Sequence, residues 1–172
     1  MNNMKNVKKV FLLALLCLQA LQCAYAYDFI VDGIAYDITS IEKRTVGVTN
    51  VSDKEEDRYS GNIIIPETII HNGSKYTVSS IGKKSFYMCA GLISIQLPET
   101  IEFFEDGEIV NAMSITSGCF VGCKELKSIK FPSSLKKIGA FAFYRCSSIE
   151  NINIPDCVTE IGRASFSHCQ NL

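Results

Sequence analysis

The sequence predicts a leucine-rich-repeat solenoid of about 23-residue repeats, with a parallel β-sheet on one face and a β-rich N-terminal cap. Three observations lead there. Phe120, Phe143 and Phe166 stand 23 residues apart, and Cys123, Cys146 and Cys169 keep the same step. Leu126, Ile149 and Leu172 repeat it, as do Ile115, Ile138 and Ile161, while Pro132 and Pro155 each stand three residues before an apolar one, Leu135 and Val158. An earlier copy, Ile81-Gly82, Phe86, Cys89, Leu92, Ile95, Leu97-Pro98 and Ile101, precedes the next by 34 residues, one period plus an 11-residue insertion. A unit this short cannot bury its apolar residues alone, so it stacks on copies of itself.

The unit reads I-G-x-x-x-F-x-x-C-x-x-[LI]-x-x-I-x-[LIF]-P-x-x-[ILV]. Its I-x-[LIF] stretch alternates with period two, which makes a short strand with the apolar side chains inward, pairing in parallel with the next coil at about 4.8 Å. Pro lacks an N–H and fits the strand end. The Gly82, Gly139 and Gly162 column fits either a turn of unusual φ or a close approach between coils. Roughly six inward apolar residues per coil, at about 1.5–3 kcal/mol each when buried, hold the stack together.

The run Ile138-Gly139-Ala140-Phe141-Ala142-Phe143-Tyr144-Arg145-Cys146 through Ile154-Pro155 resembles the BspA-type leucine-rich repeats of bacterial surface proteins, and the resemblance extends over about residues 60–172. The second copy departs from the pattern, with Thr116 in place of Gly and Gly118-Cys119 ahead of Phe120. The resemblance implies a secreted or cell-surface, non-enzymatic protein that adheres to host or neighbouring-cell proteins or glycans.

Lys5, Lys8 and Lys9 precede an apolar run from Val10 to Leu21 and then Ala24-Tyr25-Ala26, the order of a secretory signal peptide cleaved before Tyr27. The run is too short to span a bilayer comfortably, and Gln22 is bulky for a lipoprotein site at Cys23. Residues 27–172 then hold 14 basic and 18 acidic residues, a net charge of −4. A chain 47% apolar is not a disordered one, and no sequence-wide basic footprint for nucleic acid is present. Residues 27–80 read as the cap. Asp32-Gly33 and Asn72-Gly73 each mark a hairpin, and Asn62 to Pro66 reads as a degenerate first coil. Residues 81–172 carry the repeats, with a hairpin insertion near 103–114. Leu172 stands in the column that opens a strand, so further repeats or a partner are expected to cover that end.

Residues able to carry chemistry have structural readings close at hand. Cys89, Cys123, Cys146 and Cys169 lie in one column, too widely spaced in sequence for a metal knuckle and stacked too far apart for disulfides. They are expected to pack as small hydrophobes. Cys119 and Cys157 lie off that column and are the candidates for a bridge or reactive thiol. His71 and His168 form no metal-binding pair and are expected to be exposed. Asp53 to Asp57 fails the EF-hand pattern at Arg58 and Ile64. Asn72-Gly73-Ser74 is a glycosylation sequon. No nucleotide-binding or nucleophile-elbow motif appears, and neither an enzyme nor a cofactor is expected.

The candidate binding residues are therefore the outward strand positions, Ser94, Gln96, Ser128, Lys130, Asn151 and Asn153. Phe103 and Phe104, in the insertion, are a second candidate contact or else a satellite core. The partner expected is an extracellular protein or glycan. The other readings are an accessory domain of a longer secreted hydrolase, or a structural spacer.

Overall fold

Asp32 and Gly33 lie at φ 49° and 79°, successive left-handed residues that fold β1 (Phe29–Val31) back onto β2 (Ile34–Ser40). The computed structural model describes residues 27–172 apart from 53, 112, 113 and 116, and the predicted export segment, residues 1–26, lies outside the described residues. After β2 come β3 (Thr45–Val48), a single 3-10 turn at Glu55–Asp57, and β4 (Gly61–Ile64). A second hairpin, β5 (Thr68–His71) with β6 (Ser74–Ile81), turns at Asn72 and Gly73, again both left-handed. The repeats then add β7 (Leu92–Gln96), β8 (Phe103–Phe104), β9 (Ile109–Asn111), β10 (Ser114–Ile115), β11 (Lys137–Ile138) and β12 (Glu160–Ile161).

Two parallel ladders run along the solenoid, where the periodicity predicts one. The second, formed by the predicted strands, is β4 beside β7, continued by single bridges between Gln96 and Lys130 and between Ser128 and Asn151. The first ladder is a mixed sheet of order β1-β2-β3-β6-β8-β11-β12, antiparallel from β1 to β3 and where β5 joins β6, and parallel from β3 onward along the repeats. It pairs Val48 with Ile81, Ile81 with Phe104, and Ile138 with Ile161. These residues stand immediately before the glycine column, so that column follows a strand. Gly82, Gly139 and Gly162 have no left-handed φ. A Cβ on Gly82 would stand 2.8 Å from Val48 O, and one on Gly162 would stand 2.2 Å from Ala140 N. Close approach of coils, the second of the two expected reasons, explains the column.

The insertion begins later than the sequence suggests. Phe103 pairs with Ser80 on one side and Lys137 on the other, so β8 is a regular rung of the ladder. Phe104 therefore takes the inward position that the 23-residue step assigns to Ile115. Ile115 lies instead in the antiparallel β9–β10 hairpin opposite Ile109. The antiparallel pair of the insertion is residues 109–111 with 114–115, the later part of the hairpin expected near 103–114. Two aromatic residues in strand alternation outweigh a register set by one isoleucine, because the inward site is filled by the larger apolar group.

The core is a spine of rings. Phe86 stacks on Phe120 at 4.9 Å, Phe120 on Phe143 at 4.9 Å and Phe143 on Phe166 at 5.4 Å, all within 5° of parallel. The spacing matches the rise between parallel strands. Tyr59 begins the column above Phe86, and Phe104 meets Phe120 and Phe143 edge-on. Beside the spine, three of the four column thiols donate to the carbonyl of the preceding coil's phenylalanine, while Cys89 turns to Tyr87 O of its own coil. Cys123 Sγ lies 3.1 Å from Phe86 O, Cys146 Sγ 2.9 Å from Phe120 O, and Cys169 Sγ 3.1 Å from Phe143 O. The column tolerates a weak donor and no larger polar group, which is what Cys supplies.

Candidate functional site

The six predicted strand-face residues come together as two neighbouring columns. Ser94, Ser128 and Asn151 form one, and Gln96, Lys130 and Asn153 the other; Ser94 is half-buried and the rest are exposed. β4 adds two residues that the sequence reading left out. Asn62 pairs with Ser94 and Ile64 with Gln96, so both columns start one coil earlier. The signal is in the sequence, since Asn62 to Pro66 match the strand-and-proline column of the repeat. Ser94 Oγ donates to Asn62 Oδ1 at 2.6 Å, a hydrogen bond that runs along the column from coil to coil. Ile93 is the extra residue of a β-bulge between β4 and β7 and stands 47% exposed beside these columns. Ile64 is 66% exposed. The face thus runs from an apolar pair at its N-terminal end to amides and a lysine further along.

Charge is distributed unevenly between the two ladders. On the first, Lys137 Nζ reaches Asp106 at 2.7 Å and Glu160 at 2.9 Å, Lys136 reaches Glu102 at 3.3 Å, and Lys83 pairs with Glu108. Those partners hold the Asp106 and Glu108 carboxyls below their ordinary range and the Lys83 and Lys137 ammonium groups above theirs. Among the described residues, no ion pair involves Lys127 or Lys130 on the strand face. The adjacent Glu99 carboxylate is committed elsewhere. It accepts from Ser133 N and Oγ, both at 2.7 Å, and these bonds lower its pKa.

The insertion candidates separate. Phe104 is fully buried among Phe120, Phe131 and Phe143, so it is a core residue and no partner reaches it. Phe103 points to the opposite side of β8 and stays half-exposed, as strand alternation requires. It lines a shallow groove of about 450 Å³ with Lys83, Glu105, Asp106, Glu108 and Lys137. The acids and bases of that groove already satisfy one another.

The remaining candidates are structural. Cys119 is fully buried; its thiol donates toward Ile81 O at 3.3 Å and Glu105 O at 3.4 Å, and desolvation pushes its pKa far up. It is neither an exposed nor an activated thiol. Its position is the residue before the spine phenylalanine, where Ser85 makes the matching bond to the preceding coil, at 2.7 Å to Val48 O, and Ser165 reaches one residue further along it, at 3.0 Å to Gly139 O. The alignment of Ser85, Cys119, Ala142 and Ser165 was available in the repeat. Cys157 Sγ donates to Leu135 O at 3.1 Å. His71, expected to be exposed, is half-buried because its ring stacks on Phe29 at 3.9 Å. His168 is exposed, edge-on to Tyr144. Among the described residues no cluster of three His, Cys, Asp or Glu can hold a metal ion.

Comparison with known proteins fits this geometry. The chain is similar to a leucine-rich repeat protein of Bacteroides ovatus, with 32% identity over 85% of this chain and 40% of that one, TM-score 0.56. It is also similar to a leucine-rich cell surface protein of Faecalibacterium prausnitzii, with 28% identity over 84% of this chain and 35% of that one, TM-score 0.63. It thus spans less than half the length of either. A leucine-rich repeat protein of Treponema pallidum shares the fold at 21% identity, over 84% of this chain and 68% of that one, TM-score 0.57. No curated protein matches the chain. The model of the BspA type leucine rich repeat region matches residues 66–111 and 107–172 in six copies. Spine, thiol column and paired ladders are the physical content of that match, and the chain belongs to the BspA-type leucine-rich repeat family.

Proposed function

We propose that the chain is a non-enzymatic binding module of the cell surface that holds a partner protein against the second ladder. The observation that carries this is the pair of outward columns, Asn62–Ser94–Ser128–Asn151 and Ile64–Gln96–Lys130–Asn153. Beyond Ile64 they are polar and spaced by the backbone, and the exposed Ile64 and Ile93 form an apolar pair at the N-terminal end. Side chains fixed on a hydrogen-bonded ladder lose little entropy on binding. A flat strip suits a protein surface better than a small molecule, which needs a concavity. Relatedness to a cell surface protein supports the location.

The test titrates the chain against extracellular-matrix proteins and glycans, with a Lys130→Ala/Asn153→Ala variant beside it. Saturable binding that weakens roughly tenfold or more in the variant, at unchanged melting temperature, is expected. Unchanged binding of a protein by the variant would move the protein site to the groove at Phe103 or to the cap, and binding of glycans alone would not support the strand face. A folded wild type that binds none of the set would sink the proposal.

A further inference from the structure

A third side of the solenoid, made of the turns that lead from the first ladder to the second, has a charge pattern of its own. Segments 82–91, 117–124, 139–148 and 162–172 contain Lys83, Lys84, Lys124, Arg145, Arg163 and His168 and no Asp or Glu at all. The rest of residues 27–172 is correspondingly acidic. Lys83 is drawn off to Glu108, but no ion pair among the described residues involves Lys84, Lys124, Arg145 or Arg163.

Two of these cations are held in place. The Arg145 guanidinium lies over the Tyr144 ring at 5.2 Å, and that of Arg163 over the Phe141 ring at 5.2 Å. A guanidinium resting on a ring keeps its N–H edge free and oriented for a bidentate contact with an oxyanion. The two turns are tied by backbone bonds from Phe141 N to Arg163 O at 2.9 Å and from Arg145 N to Ser167 O at 3.0 Å. Arg145 and His168 both sit at φ 61°, in a column where the preceding coil has Gly122 at φ 74°. A side chain there costs about 1–2 kcal/mol over glycine. Met88 shares that column at φ 56°, so the turns hold this conformation coil after coil, and Arg145 is the cation displayed from it.

We propose that this turn face binds a linear acidic polysaccharide, its carboxylate or sulfate groups meeting Arg145 and Arg163, with Lys84 and Lys124 extending the contact across neighbouring coils. Charge complementarity carries the assignment: an anionic ligand is favoured where the turns of a net acidic chain carry cations and no carboxylates of their own, the neighbouring Glu105, Asp106 and Glu108 being engaged by Lys83, Ala140 and Lys137. Single-stranded nucleic acid would need open ring faces for base stacking, and Tyr144 gives its face to Arg145. The choice of a glycan rests on the cell-surface location proposed above, whereas the binding itself does not depend on the strand-face site.

The test measures binding of the purified chain to a sulfated glycosaminoglycan and a polyuronate. Neutral dextran, duplex DNA and phosphatidylserine vesicles run alongside. Saturable, salt-weakened binding to the acidic polysaccharides and none to dextran is expected. Arg145→Gly/Arg163→Gln should weaken it about tenfold, and Gly relieves the backbone at 145, so the fold is retained. An Arg145→Lys/Arg163→Lys variant keeps the charge but not the planar fork, and should lose about threefold. Lys130→Ala/Asn153→Ala should bind like wild type, which separates this site from the strand face. Absence of binding, wild-type affinity in both arginine variants, dependence on Lys130 and Asn153 instead, or tighter binding to DNA or vesicles would each overturn the proposal.

Discussion

Replacing Gly139 by alanine isolates the contact that sets the distance between coils. The backbone there is not left-handed, so alanine costs no conformational strain. By restricting the unfolded chain it would stabilise the protein by about 0.4–1 kcal/mol if space allowed. Space does not allow it. The new Cβ would stand 2.2 Å from Glu105 O, 2.5 Å from Glu105 C and 2.6 Å from Phe104 O. Atoms in contact prefer about 3.5 Å or more, so the coils must part by about 1 Å. Parting strains the bonds from Gly107 N to Ala140 O, 2.8 Å, and from Ala140 N to Asp106 Oδ1, 2.9 Å. Two hydrogen bonds at about 0.5–1.5 kcal/mol each, plus overpacking of about 1–3 kcal/mol, give a net loss of about 3 kcal/mol. Gly33→Ala is the control. It sits at φ 79° with nothing within 4 Å of the new atom, so its cost is backbone alone, about 1–2 kcal/mol. Urea unfolding followed by circular dichroism, compared at equal m-values, measures both. A smaller loss for Gly139→Ala than for Gly33→Ala would refute the close-approach argument.

Other consequences follow from the core. Phe143 touches the rings of Phe104, Phe120, Phe131 and Phe166 at 5.9, 4.9, 5.7 and 5.4 Å. Phe143→Ala should therefore lose about 4 kcal/mol in the same assay, and a loss below about 2 kcal/mol would mean that the spine does not act as one unit. Burial pushes the Cys89 thiol up to about 11 from 9.0. Between those values the unfolded chain has released a proton that the folded chain keeps. Its contribution is complete below pH 9 and is lost as pH rises towards 11. Melting temperature should fall over that interval, less steeply in Cys89→Ala, and identical profiles would contradict the assignment. Cys119, Cys123 and Cys146 are buried and should react with a maleimide only as fast as the chain opens; prompt labelling of the native protein would show otherwise.

The strand face was legible before any coordinates, because Ser94, Ser128 and Asn151 fall at one repeat position and Gln96, Lys130 and Asn153 at another. In a strand that alternates with period two, a residue between inward apolar neighbours must face out. Its extension to Asn62 and Ile64 is fainter, because the first coil keeps the strand and its proline but lacks the phenylalanine and cysteine of the repeat and has Tyr59 at the head of the ring column. The turn face was hidden. Its arginines and lysines belong to four separate segments, and only stacking places them on one side.

Whatever recurs in every coil is determined by the sequence alone: the fold class, the inward phenylalanine and cysteine columns, the strand ending at proline. Each coil meets a neighbour of the same composition, so local chemistry and tertiary environment repeat together. What happens once in the chain was decided only in three dimensions. Phe104 and Ile115 both suit the inward site by hydrophobicity, and the ladder between Ser80 and Lys137 selects the pair Phe103-Phe104. Cys119 looks like a stray thiol until the coils stack and place it in the serine column against Ile81 O. Gly139 looks like a turn residue until the neighbouring carbonyl of Glu105 shows that it marks an absence of space. Each of these choices depends on contacts between residues more than twenty positions apart, and pairing across that distance is settled by packing rather than by local propensity.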